Sequence, residues 1–234
     1  MNNRNKKHTE RKYAEFSSDS PIAEAYRVLR TNIEFSSSVN AIKTVLITSS
    51  LLGEGKSTTA TNLGKIFALG GTKTLIVDLD LRRPVVHKIL SIEDGKEKGI
   101  TSLFLEETDV EELIVETDVE NLYAIPCGNQ PVNPAEILAS DKLEAAITKL
   151  RNMFDLIIFD SPPAVALADA GIISRLADAT MLVVSAGEVT YSDVETSTTN
   201  LKNAGANILG VIMNNITRKT RGYKYYKYDY YGYR

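Results

Sequence analysis

The strongest constraint on the fold is a set of six short apolar runs that alternate with amphipathic segments. Each run is continuous and rich in Val and Ile, which is typical of strands buried on both faces of a parallel sheet. The runs occupy residues 44–48, 74–78, 122–126, 156–160, 180–185 and 209–213. The segments between them predict helices at 56–69, 134–151, 169–177 and 191–204. Such repetition gives right-handed crossovers, so the sequence predicts an α/β fold with a doubly wound, mainly parallel sheet.

The predicted domain lies between two basic ends. The 234 residues are enough for one sizeable domain, which we place at 20–217. We expect a flexible segment at 1–19 and a disordered tail at 218–234, which lacks aliphatic residues. Residues 1–12 carry a net charge of +4 and the tail carries +5, whereas the whole chain carries −3, so the part between them is strongly acidic, at −12. The ends are either solvated or bind an anionic membrane face or an acidic neighbour.

One more helix is predicted before the first strand. Ser20 suits the N-cap position and Pro21 the first helical position. One face of this helix carries an apolar stripe made of Ile22, Tyr26, Leu29 and Ile33. Glu24, Arg27 and Arg30 follow at intervals of three on the opposite face, which indicates either ion pairs within the helix or a contact between subunits.

The sequence contains no segment that would direct the chain out of the cell interior. It has no run of 18 or more apolar residues, and its basic N-terminus lacks an apolar leader. The one cysteine, Cys127, cannot form an internal disulfide and is expected in the core. We therefore expect a cytoplasmic protein that neither is secreted nor spans the membrane by its own sequence.

A glycine-rich loop, SSLLGEGKST at residues 49–58, joins the first predicted strand to the next helix. In such loops backbone N–H groups surround phosphate oxygens, a lysine reaches the β- and γ-phosphates, and a hydroxyl binds Mg²⁺. The nucleotide-binding residues are accordingly predicted to be Gly53, Glu54, Gly55, Lys56, Ser57 and Thr58. Ser50 stands where the first glycine is usual. A dinucleotide-binding fingerprint, the rival interpretation, would need its third glycine at Thr58 and would not explain the lysine.

Three aspartates stand at the ends of two predicted strands. Asp78 and Asp80 lie at the end of the second strand, and Asp160 ends the fourth. In open α/β sheets, ligands bind outside the carboxyl ends of the strands, so these carboxylates are expected beside the phosphate loop. A single aspartate there is often a turn former or helix cap. Three of them near a phosphate loop can hold Mg²⁺ and orient or deprotonate the attacking group.

Together these elements resemble the bacterial tyrosine kinases of capsule and exopolysaccharide synthesis. The resemblance extends from about Ser20 over nearly the whole chain. It rests on the phosphate loop, VDLDLR at 77–82, IIFDSPP at 157–163, NPAEIL at 133–138, Glu24-x-x-Arg27-x-x-Arg30 and a terminal tyrosine cluster. Leu52 stands where that family usually has proline, which affects the stiffness of the loop rather than its chemistry. The resemblance implies a P-loop NTPase of the deviant-Walker type, like the MinD and ParA ATPases.

The resemblance also implies roles for single residues, with ATP as the phosphoryl donor and Mg²⁺ as cofactor. The catalytic residues are Lys56, Asp78, Asp80 and Asp160, and the metal site consists of Ser57 and the same three aspartates. Lys56 contacts the β- and γ-phosphates, and Asp160 binds the metal partly through water. Asp78 and Asp80 divide metal orientation and activation of the tyrosine hydroxyl, with Asp78 favoured as the base.

Two further residues have open assignments. Arg82 contacts a phosphate or the incoming tail, or it forms a surface ion pair. Asn214, at the end of the last strand, resembles an adenine-contacting asparagine of related ATPases, or it belongs to an ordinary turn.

Seven of the 11 tyrosines lie in the last 12 residues, as Tyr223, Tyr225, Tyr226, Tyr228, Tyr230, Tyr231 and Tyr233. The resemblance implies that the kinase phosphorylates this cluster itself, and a tethered tail has a high effective concentration at a neighbouring site. Each phosphate adds about −1.5 to −2 charges, so full modification would invert the charge of the tail and drive subunits apart. Interleaved lysine and tyrosine also suit nucleic-acid stacking. Because no second basic face is evident, we expect no nucleic-acid partner.

The resemblance further implies a homo-oligomeric ring joined through Glu24, Arg27 and Arg30. Family members need a membrane activator, fused or separate, and we expect a separate transmembrane adaptor that recruits this chain to the inner face of the cell membrane. Other proteins are expected to be phosphorylated on tyrosine, in control of polysaccharide synthesis. Two alternatives stay open. One is a partitioning or positioning ATPase switch, although Leu51 replaces the signature lysine of that group, and the other is a non-catalytic, nucleotide-dependent scaffold.

Overall fold

Seven strands form one sheet within the four stretches that the computed structural model describes, residues 20–37, 41–105, 108–165 and 168–216. They are β1 (Thr44–Ser49), β2 (Thr74–Asp78), β3 (Val115–Glu116), β4 (Leu122–Ile125), β5 (Leu156–Asp160), β6 (Ala179–Ser185) and β7 (Ile208–Asn214). The strand order is β3-β4-β2-β5-β1-β6-β7, and every neighbouring pair is parallel except β3 and β4. The predicted doubly wound, mainly parallel sheet is confirmed, and β3 is a short addition to the six predicted strands.

Eight α-helices and one 3-10 helix lie between and before these strands. They are α1 (Pro21–Ser37), α2 (Lys56–Leu69), α3 (Val86–Ile89), α4 (Ser102–Leu105), the 3-10 helix Val110–Leu113, α5 (Pro134–Leu138), α6 (Asp141–Arg151), α7 (Asp169–Ser174) and α8 (Tyr191–Asn203). The single helix predicted at 134–151 is therefore wrong. Ser140 starts a new helix there, because its Oγ accepts a hydrogen bond from the N–H of Leu143 at 3.3 Å. None of these helices has the length and apolar character needed to cross a bilayer.

The four central strands are buried on both faces. Leu46 and Phe159 belong to a hydrophobic cluster with α6 and α7, and Ile47 and Ile158 belong to another with α1 and α2. Every residue of β1, β2, β5 and β6 is buried, which explains why their sequences are continuously apolar. Cys127 lies in the first cluster and is fully buried, as expected, and its burial raises the pKa of the thiol.

Helix α1 packs against α2 and begins where the sequence predicted. The Oγ of Ser20 accepts a hydrogen bond at 3.1 Å from the backbone N–H three residues later, which confirms the N-cap. Ile33 is buried, and Tyr26 and Leu29 pack on the same cluster. Ile22, however, is 55% exposed. The prediction for Ile22 was wrong because Ala23, rather than Ile22, is the buried residue in the first turn of α1.

The strand order brings three loops together at the carboxyl edge of the sheet. β2, β5 and β1 are neighbours, and in their register Asp160 lies opposite both Asp78 and Ile47. The phosphate loop that follows β1 therefore starts beside the aspartates that end the other two strands. This edge holds the candidate site.

Candidate active site

Two glycines shape the loop between β1 and α2. Gly53 and Gly55 have φ angles of +86° and +89°, a left-handed backbone that glycine adopts without steric cost. A Cβ on Gly55 would also lie only 2.3 Å from Nδ2 of Asn214. Ser50 is buried and its φ is not positive, so a serine fits where the first glycine is usual. The loop leads into the N-terminus of α2, where the helix dipole favours an anion.

Lys56, the first residue of α2, lies among carboxylates. Its Nζ is 2.6 Å from Oδ2 of Asp80, 3.5 Å from Oδ1 of Asp160 and 3.1 Å from Oγ of Ser57. Burial by itself lowers the pKa of Lys56, but the charges of Asp160 and Asp80 outweigh it and hold that pKa above its ordinary value. The lysine is therefore fully charged, and the structure brings together the residues predicted to contact phosphate and metal.

Asp78 is fixed by the backbone. Its Oδ2 accepts hydrogen bonds from the N–H groups of Val85 and Val86 at 3.2 and 3.0 Å, and its Oδ1 accepts one from Asp80 at 3.2 Å. Complete burial, and then the charge of Asp160, raise the pKa of Asp78 well above its ordinary value. A carboxylate with a raised pKa takes up a proton more readily near neutral pH, which is what a general base needs.

The carboxylate of Asp160 fits a magnesium ion. Both oxygens are buried, and neither has a hydrogen-bond partner in the described stretches. Burial raises the pKa of Asp160, and the nearby charge of Lys56 opposes that shift. The same stretches contain no group of three or more His, Cys, Asp or Glu side chains able to hold a metal by themselves. The donors fit Mg²⁺, which is usually bound by one or two protein oxygens together with water and substrate phosphates.

Glu54 and Asn214 hold the loop in place. The Glu54 carboxylate is buried and accepts hydrogen bonds from the N–H groups of Leu51 and, at 2.8 Å, Ser185. Nδ2 of Asn214 donates to the carbonyl oxygen of Glu54 at 2.8 Å. These bonds tie the loop to the ends of β6 and β7. Sequence reasoning missed this use of the Glu54 side chain, since it depends on a residue 131 positions away.

Arg82 forms an ion pair, one of its two predicted roles. Its Nε and one terminal nitrogen lie 2.6 and 3.1 Å from the two carboxylate oxygens of Asp169, which is almost completely buried at the start of α7. The Arg82 carbonyl accepts a hydrogen bond from Nε2 of Gln130 at 2.6 Å. Asp169 had no signal in the sequence, because an acidic residue in the first turn of a helix is common.

The charged motif of α1 is divided in the structure. Glu24 and Arg27 form an ion pair of 2.9 Å on the surface. Arg30 instead donates to the carbonyl oxygen of Ile66 at 3.3 Å, near the C-terminus of α2. The prediction that all three lie on one face away from the core was wrong for Arg30, because its long side chain reaches a carbonyl in the last turn of α2. The predicted tail tyrosines lie outside the described residues.

The chain is similar to known proteins over most of its length. The family described as "AAA domain" matches residues 42–216. Tyrosine-protein kinase YwqD of Bacillus subtilis is 38% identical over 211 residues, which cover 90% of this chain and 85% of YwqD. A crystal structure of the chimerical protein CapA2B2 matches with a TM-score of 0.81 and 32% identity, covering 86% of this chain and 88% of that one. The septum site-determining protein MinD of Pyrococcus horikoshii, complexed with Mg-ADP, matches with a TM-score of 0.62 and 26% identity, covering 73% of this chain and 69% of that one.

Proposed function

Since this chain belongs to the family of bacterial tyrosine-protein kinases, we propose that it transfers the γ-phosphate of ATP to the tyrosines of its own C-terminal cluster, from one subunit to another. The observation that carries the proposal is the convergence of Lys56, Asp78, Asp80 and Asp160 on the phosphate loop. Phosphoryl transfer depends mainly on positioning and charge neutralisation, and these four side chains with the loop supply both.

The phosphate loop and Lys56 bind the phosphates of ATP. Lys56 exchanges its contact with Asp80 for oxygens of the β- and γ-phosphates. Ser57 and Asp160, with Asp80, would hold Mg²⁺, which neutralises phosphate charge when bound. Asn214 lies against the loop at Gly55. From this position it either contacts the adenine or supports the loop.

Asp78 accepts the proton of the acceptor tyrosine. Its raised pKa suits this role, whereas the charge of Asp80 is paired with Lys56 at 2.6 Å. Beside Asp80 lies a cavity of about 550 Å³. Its lining is mostly apolar and includes Leu52 and Pro162, which suits the ring of an incoming tyrosine.

Charge brings the tail to the site of a neighbouring subunit. The unmodified tail carries +5 and the body −12, so the two attract each other. Each phosphate adds about −1.5 to −2 charges, so the attraction turns into repulsion as phosphorylation proceeds. Oligomers, joined in a ring through the Glu24–Arg27 surface, then dissociate.

The same family membership supports a proposed cellular role. The kinase is activated by a separate transmembrane adaptor that holds it at the inner face of the membrane, and it phosphorylates other proteins on tyrosine in control of capsule or exopolysaccharide synthesis. A partitioning or positioning ATPase is the second candidate, favoured by the match to MinD. The ATPases of that group carry a signature lysine at the position of Leu51, and its absence here argues against this second candidate.

The test of trans phosphorylation mixes two variants with ATP and Mg²⁺. One is Lys56→Met with an intact tail, and the other is active but has its seven tail tyrosines changed to phenylalanine. Phosphotyrosine should appear on the Lys56→Met chain, and raised salt should slow its appearance. Labelling of wild type alone, with none in the mixture, would show transfer within one chain. Wild type that hydrolyses ATP without any phosphotyrosine would favour the ATPase switch instead.

A further inference from the structure

A second cavity beside the active site is lined by basic side chains. Its volume is about 580 Å³. It shares Arg82 and Arg83 with the mostly apolar cavity beside Asp80, which is called the acceptor cavity from here on. Lys88 and Lys96 also line it, and none of its lining residues is acidic. This basic cavity is therefore a local exception in a body whose net charge is strongly negative.

Most of this positive charge is not offset inside the protein. Arg82 is paired with Asp169, but Arg83, Lys88 and Lys96 form no ion pair with any residue in the described stretches. Oriented cations without a partner in a concave site attract an anion. The charge is thus available for a ligand.

His87 lies in the same lining with its polar atoms unused. The residue is 5% exposed, and neither ring nitrogen has a hydrogen-bond partner among the described residues. Burial, and then the charges of Lys88 and Lys96, lower the pKa of His87 and keep its ring neutral. A buried polar group without a partner is costly, and both ring nitrogens are shielded from solvent in this structure.

Hydrogen bonds between loops hold the basic cavity open. Nε2 of Gln130 donates to the carbonyl of Arg82 at 2.6 Å, and the N–H of Gly128 donates to the carbonyl of Gly95 at 3.3 Å. These bonds join the segments that supply the two sides of the cavity. A preformed site loses less free energy to ordering when a ligand binds.

We propose that the basic cavity binds a phosphotyrosine side chain from the tail of a second copy of this chain. The proposal rests on the proposed function, which produces phosphotyrosine in the adjoining acceptor cavity. A phosphate monoester carries about −1.5 to −2 charges and matches Arg83, Lys88 and Lys96, while Pro84 and Val85 offer apolar contact to the ring. The unmodified tail is repelled by the same cations. The basic cavity therefore distinguishes product from substrate, and it retains a tail that carries one phosphate until further phosphates turn the attraction into repulsion.

The test uses the full-length, dephosphorylated protein without ATP, and two fluorescent peptides of residues 218–234. One peptide carries a single phosphate on Tyr228, and the other carries none. Fluorescence anisotropy should show that the phosphopeptide binds at least about tenfold more tightly. Equal affinity of the two peptides would overturn the proposal.

A pair of variants locates the binding. Lys88→Gln with Lys96→Gln should weaken the phosphopeptide about tenfold or more. Lys98→Gln with Lys202→Gln removes the same charge from exposed positions outside the basic cavity, and it should change affinity less than about twofold. Equal weakening by both pairs would show only a long-range charge effect and would overturn the proposal.

Two competitors separate phosphotyrosine from phosphate alone. Phenyl phosphate should displace the phosphopeptide at lower concentration than inorganic phosphate, because the ring contributes to binding. Equal potency would make this a general phosphate site and overturn the assignment. None of these measurements requires kinase activity, so failure of autophosphorylation in wild type would count against the proposed function without deciding the peptide result.

Discussion

Lys56 and Asp80 form a buried ion pair, with Nζ of the lysine 2.6 Å from Oδ2 of the aspartate. The first helix after β1 and the loop after β2 are joined through it. ATP therefore has to compete with a carboxylate of the protein for the lysine that binds its phosphates.

Asp80→Asn should bind ATP more tightly in the absence of Mg²⁺ and yet be a poor kinase. Removing the competing charge frees Lys56, so we expect a gain in affinity of roughly three- to tenfold, or about 1 kcal/mol. The transfer rate should fall at least about a hundredfold, because Mg²⁺ and phosphate are then badly oriented. Calorimetric titration in EDTA and initial-rate measurements test both effects. Asp118→Asn, an exposed control, should change neither, and weaker binding by Asp80→Asn would contradict the competition.

Asp160→Asn should stabilise the protein in metal-free buffer. The raised pKa of Asp160 means that its protonated form is favoured by folding. The contribution of Asp160 to the free energy of unfolding is complete below the pKa of the unfolded state, about 3.9. It is lost as pH rises through the pKa of the folded state. Because asparagine removes a buried charge and gives up only the long, 3.5 Å contact with Lys56, we expect Tm to rise by roughly 2–4 °C at pH 8, about 1 kcal/mol, and by less at pH 5.5.

Differential scanning calorimetry in EDTA measures this change, and Mg²⁺ with ADP should stabilise wild type more than the variant. A variant that melts below wild type at pH 8 would mean that attraction between Lys56 and Asp160 dominates over burial.

The pH dependence of transfer should identify the base. If Asp78 accepts the proton, the initial rate rises with pH and levels off above the raised pKa of Asp78. Asp78→Asn should lower the rate about 10²- to 10⁴-fold and abolish this rise. A rise that persists in Asp78→Asn but disappears in Asp80→Asn would assign the base to Asp80.

Asn214→Ala should weaken binding of ATP and of tripolyphosphate by the same factor. Nδ2 of Asn214 bonds to the loop carbonyl of Glu54, so its loss loosens the loop for any polyphosphate, by about fivefold for a bond worth about 1 kcal/mol. Competition against a fluorescent ATP analogue measures both ligands. Weaker ATP binding with unchanged tripolyphosphate binding would assign Asn214 to adenine instead.

Glu24→Ala with Arg27→Ala should reduce the size of the oligomer without lowering stability by more than about 0.5 kcal/mol. The pair is exposed, and exposed ion pairs contribute little to stability. Arg30→Ala is a different change, because it removes a contact with α2 and should destabilise the monomer by about 1 kcal/mol. Light scattering and urea unfolding separate the two. If the double variant forms an oligomer of unchanged size, Glu24 and Arg27 form only an ion pair within the helix and do not join subunits.

Local signals explain what the sequence could predict. Four strands could be predicted because their residues are buried on both faces, and the phosphate loop because left-handed glycines precede a helix N-terminus. The prediction of burial was wrong for β7, which lies at the edge of the sheet and is partly exposed. Ser20 and Pro21 marked the start of α1 by the same kind of local chemistry. The convergence of Asp78 and Asp160 followed from the rule for carboxyl ends of parallel strands.

The features that the sequence could not predict depend on contacts between residues far apart in the chain. Arg82 and Asp169 are 87 positions apart, and Arg30 and Ile66 are 36 apart. A charged residue on a helix has the same sequence pattern whether it meets solvent or a neighbouring helix. Only the packing of α1 on α2 decided the direction of Arg30.

The buried Cys127 makes this protein a convenient reporter of its own opening. It is the chain's single cysteine, and its thiol is fully buried with a raised pKa, so the reactive thiolate hardly forms while the core is intact. Modification by a thiol reagent then proceeds only through molecules whose core has come apart. The rate of labelling, followed with and without ATP, measures how much bound nucleotide stabilises the closed core against opening.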